Sequence, residues 1–214
     1  MLAGWVWVGL GLMLILTNPK NYLGFQDNSI GGAHLETGKI LKNFNAKDGR
    51  NVILRTPRWE DLDDFVELIN SLVEEEAEIL VTQKFTREAE AEWLHRALSR
   101  LEKDELFFLV AEVEKKAVAS SDFQIQGEDA EHVGEIGIVV RNGYRNLGIG
   151  SEIMNTLLEQ AAFYGLRTVT VNAFATNKRA IHVYEKVGFV QSGIIPKSVR
   201  ARFVDEVIMS KSVP

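Results

Sequence analysis

The 214-residue sequence contains no cysteine, and this absence removes several kinds of chemistry at once. Disulfide bonds, thiolate metal sites and a cysteine nucleophile are all excluded. The four histidines are scattered along the chain, and no two of them have the spacing of metal ligands. We therefore expect no metal site, and we expect any catalysis to depend on other side chains.

The sequence also lacks an excess of basic residues. It carries 24 basic and 30 acidic side chains, for a net charge of −6. A dedicated nucleic-acid-binding protein usually has a basic surface, so this balance argues against nucleic acid as a partner. Hydrophobic residues make up 46% and charged residues 25%, as in a globular protein with a sizeable core.

The N-terminal segment differs from the rest of the chain. Residues 2–16, from Leu2 to Leu16, form an unbroken apolar run. As a helix it would span roughly 22 Å, which is short of the roughly 30 Å hydrocarbon core of a membrane. It has no basic region before it and no clear cleavage site, so it is a poor secretory signal. A membrane anchor, a start codon assigned too far upstream, and a buried or partner-binding helix all stay open.

The remaining composition suggests three parts. Residues 1–17 form the hydrophobic segment, residues 18–49 are rich in Gly, Asn, Asp and Lys and are predicted to be a linker, and residues 50–214 form the folded domain. The nearest charge to the apolar run, Lys20, follows it and weakly favours a cytoplasmic domain. We expect a cytoplasmic protein, with anchoring to the cytoplasmic face of a membrane as the alternative.

Hydrophobic spacing predicts the order of elements within the domain. A short strand at 51–55 precedes two helices, which begin near Trp59 and Thr86. The acidic run 74–76 between these helices is interpreted as a solvated face. The later elements are predicted at 105–113, 117–126 and 132–140 (strands), 151–164 (helix), 168–173 (strand), 178–187 (helix), and near 189–194 and 201–209 (strands). This order is typical of a mixed α/β sheet with helices on its faces.

A glycine-containing turn at residues 145–150 is the most informative local feature. A strand leads into it and a helix follows at once, with Arg145, Gly148 and Gly150 at R-x-x-G-x-G spacing. Glycines let the backbone approach a ligand closely, and the N–H groups at the start of a helix bind phosphate. An ordinary turn would look the same, so the turn alone decides little. It is neither a dinucleotide fingerprint nor a P-loop.

A second motif lies beyond the next helix and strand. Asn177, Ala180, Tyr184, Gly188 and Phe189 follow the pattern N-x-x-A-x-x-x-Y-x-x-x-G-F. Together, the two motifs resemble those of the GNAT superfamily of N-acetyltransferases, over roughly residue 51 to the C-terminus. The resemblance implies a mixed sheet of six to seven strands flanked by about four helices. It also implies acetyl-CoA as co-substrate and direct transfer of its acetyl group to a primary amine in a ternary complex.

The resemblance assigns cofactor-binding roles to two groups of residues. The main chain at Ile138, Val139 and Val140 would contact pantetheine. The pyrophosphate would lie against the turn, with Asn177 on the other side of the cofactor. The turn residues implied are Arg145, Asn146, Leu147, Gly148, Ile149, Gly150 and Ser151.

The resemblance also implies catalytic residues. Tyr184 matches the tyrosine that many family members use as a general acid, although it would also suit simple packing. Glu135 lies close to where some members have a catalytic glutamate, although it would also suit a strand residue facing solvent. Other members place that glutamate on the next strand, where this chain has Asn172. His132 and ordered water are alternative bases.

Several functional questions stay open at this level. A catalytically silent acyl-CoA-binding module is the alternative to an enzyme. The acceptor could be a protein, a peptide or a small molecule. Lys197, Arg200 and Arg202 lie in the predicted last hairpin and would suit either an acidic acceptor group or a solvated loop. The sequence does not set the oligomeric state, and a dimer is compatible with it.

Overall fold

The computed structural model describes residues 35–125, 132–199 and 204–214. These residues form eight strands and four helices. The strands are β1 (Ile40–Asn45), β2 (Asn51–Arg55), β3 (Phe107–Val113), β4 (Lys116–Ile125), β5 (Val133–Val140), β6 (Thr168–Phe174), β7 (Val190–Val199) and β8 (Val204–Ser212). The helices are α1 (Leu62–Glu74), α2 (Arg87–Glu102), α3 (Ile149–Phe163) and α4 (Lys178–Lys186). Across the described ranges, we find no helix with the length and apolarity needed to cross a membrane.

All eight strands belong to one sheet, in the order β1-β2-β3-β4-β5-β6-β8-β7. Every neighbouring pair is antiparallel except β5 and β6, which run parallel. A parallel pair needs a crossover connection, and α3 supplies it between these two strands. The predicted mixed α/β sheet is confirmed, and the site described below lies where its one parallel pair opens.

Helices cover both faces of the sheet, as two adjacent phenylalanines of β3 show. Successive side chains of a strand point to opposite faces. Phe108 packs against Phe65 of α1 and Trp93 of α2, with ring centroids 5.8 and 5.5 Å away. Its neighbour Phe107 lies 6.2 Å from Tyr164, which follows α3. Helices α1 and α2 therefore pack on one face and α3 on the other.

The structure has one strand more than the sequence predicted, because β1 lies in the expected linker. This strand pairs with β2, and its Leu41 and Phe44 pack against the core. Lys42 forms an ion pair with Glu152 of α3. The strand was missed because three of its other four residues are polar, as is common for a strand at a sheet edge. The folded part of the chain therefore begins before residue 50, and the linker prediction does not hold for residues 40–45.

A buried ion network fixes the start of α1. The guanidinium of Arg55 is 2% exposed and donates to both carboxylate oxygens of Asp61, at 2.6 and 2.7 Å. It also donates to Glu112 of β3 at 2.7 Å. Breaking such a network by removing one partner leaves a buried charge unpaired, so the geometry is tightly constrained. The helix that begins here ends at the candidate site.

Candidate active site

The site begins where the parallel strands separate. Paired residues of β5 and β6 run from Val133 and Thr168 to Ile136 and Val171, and the ladder ends there. Strand β5 continues to Val140, still paired with β4 on its other side. The edge of β5 at residues 137–140 therefore faces a gap, and its backbone groups can bind an extended ligand as an added strand would.

A cavity of about 460 Å³ extends from this gap to the start of α3. Nine of the eleven residues that the sequence assigned to a cofactor line it. They are Ile138, Val139, Val140, Arg145, Asn146, Gly148, Gly150, Ser151 and Asn177. The two others do not line it: Leu147 packs against the core, and the side chain of Ile149 is 1% exposed. We call this cavity the large groove.

The glycine turn presents an uncapped helix end to the large groove. Helix α3 begins at Ile149, two residues earlier than predicted, and its N-cap is Gly148 with φ of 90°. A side chain at that φ would be strained, which explains the glycine. Gly148 has no side chain, so it does not cap the first N–H groups of α3 as Ser or Asp would. Such a turn suits an anion, and the pyrophosphate site that the sequence places here stays a prediction.

The guanidinium of Arg145 is held by protein groups in the large groove. Its Nε donates to the carbonyl oxygen of Val140 at 2.7 Å, and its Nη2 forms an ion pair with Glu75. The interpretation of residues 74–76 as a solvated face is therefore wrong for Glu75. Glu74 does fit it, because this exposed carboxylate pairs with the exposed Lys84. Arg145 thus links the glycine turn to the end of α1.

Four further cationic or imidazole side chains line the large groove, and sequence reasoning missed all of them. They are Lys47, Arg179, His182 and Lys186. Lys47 lies in the β1–β2 turn, and its N–H donates to the carbonyl of Leu147 at 3.0 Å. The other three belong to α4 and follow Asn177 within the second motif. The sequence did contain a signal for the three residues of α4, because they are basic or imidazole side chains between the positions of the second motif.

Asn177 has a structural role that the motif does not reveal. Its side-chain oxygen accepts from the N–H of Ala180 at 3.1 Å and caps α4. Its amide nitrogen lies 3.5 Å from the carbonyl oxygen of Glu78. The residue therefore fixes the helix that carries Tyr184, in addition to lining the groove.

Tyr184 lies between the large groove and a second cavity, and it lines both. Its side chain is 5% exposed, and its ring packs 6.1 Å from that of Phe189. Burial raises the pKa of Tyr184 to about 12. The phenol is therefore protonated throughout the neutral range, which suits a hydrogen-bond donor or acid and not a base.

The second cavity, about 100 Å³ in volume, lies between β5 and β6 beyond Tyr184. We call it the small cavity. Glu135 and Asn172 both line it, and the Asn172 amide donates to the Glu135 carboxylate at 3.2 Å. The residue that departs from the family pattern is thus bonded to the predicted base. His132 is exposed and lines neither cavity.

This pattern of motifs is shared with known proteins. The sequence pattern of the Acetyltransferase (GNAT) family matches residues 66–189, which is more than half of the chain. The chain belongs to the GNAT acetyltransferase family. The match includes both motifs, so the family assignment made from the sequence is confirmed.

This chain is also similar to individual proteins that are named as acetyltransferases. A Bacillus subtilis protein provisionally named as a phosphinothricin acetyltransferase is 29% identical over 67% of this chain and 86% of its own. An uncharacterized N-acetyltransferase of Methanocaldococcus jannaschii is 30% identical over 76% of this chain and 68% of its own. The structure also resembles a Salmonella typhimurium protein, provisionally named as an acetyltransferase and solved with its cofactor acetyl-CoA, with a TM-score of 0.67 at 17% identity, covering 76% of this chain and 94% of that one.

Some of the residues named from the sequence lie outside the described part of the structure. These are the apolar run from Leu2 to Leu16, and Arg200 and Arg202 of the last hairpin. The side chain of Lys197 belongs with them. Membrane attachment and a basic contribution to the acceptor site therefore stay predictions.

Proposed function

We propose that the protein is an N-acetyltransferase that moves the acetyl group of acetyl-CoA directly to a primary amine in a ternary complex. One observation supports this most strongly. The large groove leads from the uncapped start of α3, along the open edge of β5, to Tyr184 and then to a cavity that contains a carboxylate. These parts are in the order in which the phosphates, the thioester and the amine would lie.

The cofactor would lie in the large groove. Its pyrophosphate would accept hydrogen bonds from the first N–H groups of α3, where the helix dipole also favours negative charge. Lys47, Arg179 and Lys186 line the same groove and would add positive charge. The pantetheine arm would pair with the backbone of β5 at residues 137–140 and place the thioester beside Tyr184.

The reaction would require two proton transfers. An alkyl amine with a pKa of about 10.4 is unprotonated in only about one molecule in 2,500 at pH 7. Glu135, directly or through water, would take the proton from the ammonium group. The free amine would then attack the thioester carbonyl carbon, so that a C–N bond forms and the C–S bond breaks. The sulfur would leave as a thiolate, and it would gain the second proton, which the nitrogen loses as the amide forms.

Tyr184 would stabilise the departing thiolate. Because its pKa is about 12, the phenol keeps its proton more strongly than a thiol of pKa about 8.5 does. It therefore acts first by donating a hydrogen bond to the sulfur as negative charge develops there. Such a donor in a site that excludes water lowers the barrier more than the same donor in bulk water.

Acetyl-CoA should stabilise the full-length chain against heat. A ligand at 100 times its dissociation constant adds about 2.7 kcal/mol to the free energy of unfolding, or roughly 5–10 °C in melting temperature for a domain of this size. We expect that shift with acetyl-CoA and with CoA, but not with NAD, in a thermal melt. Equal melting temperatures with all three ligands and without ligand would contradict the proposed cofactor site.

Replacing Lys47 by alanine should weaken cofactor binding. The side chain is exposed, so its contact with a phosphate is worth about 1 kcal/mol, or about a fivefold rise in the dissociation constant for acetyl-CoA. Isothermal titration at low salt measures this change, which should shrink at high salt through screening. Lys178→Ala is the matched control, since this exposed lysine adjoins Arg179 but does not line the groove. Equal affinities for the two variants would exclude Lys47 from the site.

A further inference from the structure

The small cavity has a distinct electrostatic character. Three carboxylates line it, from Glu78 after α1, Glu135 on β5 and Glu206 on β8. Among the described residues that line it, none is a lysine, an arginine or a histidine. Its other walls include the apolar side chains of Ile79 and Leu80. The cavity is thus narrow, partly apolar and acidic.

The large groove has a more positive lining than the small cavity, although it also includes three glutamates, Glu75, Glu76 and Glu78. Its lining includes Lys47, Arg145, Arg179 and Lys186, which suit an anionic cofactor. None of these four lines the small cavity. The two cavities meet at Tyr184, so these basic side chains do not extend past the place where the acetyl group would be transferred.

The three carboxylates have different surroundings. Glu135 receives the Asn172 amide and is the proposed base. Glu206 lies on β8, where its register partners are Phe174 of β6 and Ile195 of β7. Glu78 belongs to both cavities, in the segment that follows α1. Glu135 would take the proton from the reacting amine, and the other two carboxylates would have no role in that step.

The two additional carboxylates would do nothing for a substrate with one amine. They would stabilise the positive charge of a second ammonium group. An acceptor carboxylate or phosphinate would instead meet like charges, which interact unfavourably in a confined site. The volume of about 100 Å³ and the apolar walls suit a methylene chain. We propose that the acceptor is a linear aliphatic diamine or polyamine, whose second ammonium group pairs with Glu78 and Glu206. This inference rests on the proposed acetyl transfer.

The absence of cysteine makes the test direct, because a thiol reagent detects only the CoA released by the reaction. Using the full-length chain and acetyl-CoA, we would compare 1,4-diaminobutane with butylamine and 4-aminobutyrate, which share its chain length. We expect kcat/KM for the diamine to exceed that for butylamine at least tenfold, and 4-aminobutyrate to be the poorest of the three. Spermidine should also be a substrate, and phosphinothricin should not.

Variants identify the residues responsible. Glu206→Gln and Glu78→Gln should each reduce the preference for the diamine over butylamine by about fivefold or more. Asp205→Asn is the matched control, because this exposed neighbour of Glu206 carries the same charge and does not line the cavity. An unchanged diamine preference in both glutamate variants would overturn the assignment.

The remaining outcomes separate this inference from the proposed function. Acetylation of 4-aminobutyrate, phosphinothricin or only a peptide amine, at rates above that of the diamine, would confirm transfer and overturn the diamine assignment. A thermal shift with acetyl-CoA but no turnover of any amine would overturn the assignment and leave a cofactor-binding protein. No shift and no turnover would contradict the proposed function itself.

Discussion

Replacing Tyr184 by phenylalanine should lower kcat by roughly 10²–10³-fold, the usual effect of losing a hydrogen-bond donor to the negative charge that develops in the transition state. The variant loses only the hydroxyl group, and the ring can keep its packing against Phe189. We therefore expect the melting temperature and the dissociation constant for acetyl-CoA to stay close to those of the parent protein. Steady-state kinetics with a saturating amine measure the fall in kcat.

A second tyrosine provides the control for this substitution. Tyr164 lies outside both cavities, and its hydroxyl group lies 3.3 Å from an Asp104 carboxylate oxygen. Tyr164→Phe removes the same chemical group and should leave kcat nearly unchanged. If Tyr184→Phe kept full turnover at every pH, the donor role would be wrong and Tyr184 would be a packing residue.

Glu135→Gln is the companion variant. The amide of glutamine cannot accept a proton as the carboxylate of Glu135 would, so the variant should lose the base. The acidic limb of the pH dependence of kcat/KM should change as a result. An unchanged pH profile would assign proton removal to water. Inactivity of both variants with normal acetyl-CoA binding would support the enzyme over a silent binding module.

The features that the sequence predicted correctly are encoded within short stretches of chain. The R-x-x-G-x-G turn needs the left-handed backbone of Gly148 and the helix that follows it directly. Helix α4 lies where the sequence predicted a helix, directly after Asn177, and Tyr184 lies two turns along it. Because each motif depends on neighbours only a few residues away, its presence in the sequence was sufficient to place it.

The features that the sequence did not reveal depend on contacts between distant segments. Lys47 reaches the glycine turn only because the β1–β2 turn packs against Leu147, 100 positions later. Glu75 meets Arg145 across 70 positions, so an acidic run that looked solvated became part of the groove. The small cavity combines Glu78, Glu135 and Glu206 from three elements. The spacing of hydrophobic residues along the chain carries no information about such contacts between distant segments.

One buried carboxylate outside the site should control how stability depends on pH. Glu90 lies in the first part of α2 on its buried face, and its side chain is 2% exposed. Its Oε2 has no hydrogen-bond partner among the residues that the structure describes. Burial without a partner disfavours the charged form, and it raises the pKa of Glu90 from 4.5 to about 7.

The direction of the effect follows from proton binding. Between pH 4.5 and about 7 the folded state holds the Glu90 proton, whereas the unfolded state has released it. The stabilisation from this group is therefore complete below pH 4.5 and is lost as the pH rises through about 7. A pKa gap of about 2.5 corresponds to about 3 kcal/mol of unfolding free energy. Asp122, whose pKa burial raises to about 6, adds a loss of the same sign.

Glu90→Gln should therefore stabilise the protein at pH 8 and have little effect at pH 4.5. The amide is neutral at both pH values and costs less to bury than a carboxylate. A gain of about 3 kcal/mol corresponds to roughly 6–12 °C in melting temperature for a domain of this size. Glu88→Gln is the control, because it removes the same charge from an exposed position in the same turn. Hydrogen bonds from its own backbone N–H and from Thr86 lower the pKa of Glu88, so this substitution should bring no gain in stability. Equal gains for Glu90→Gln at pH 4.5 and pH 8 would mean that the effect comes from packing and not from the buried charge.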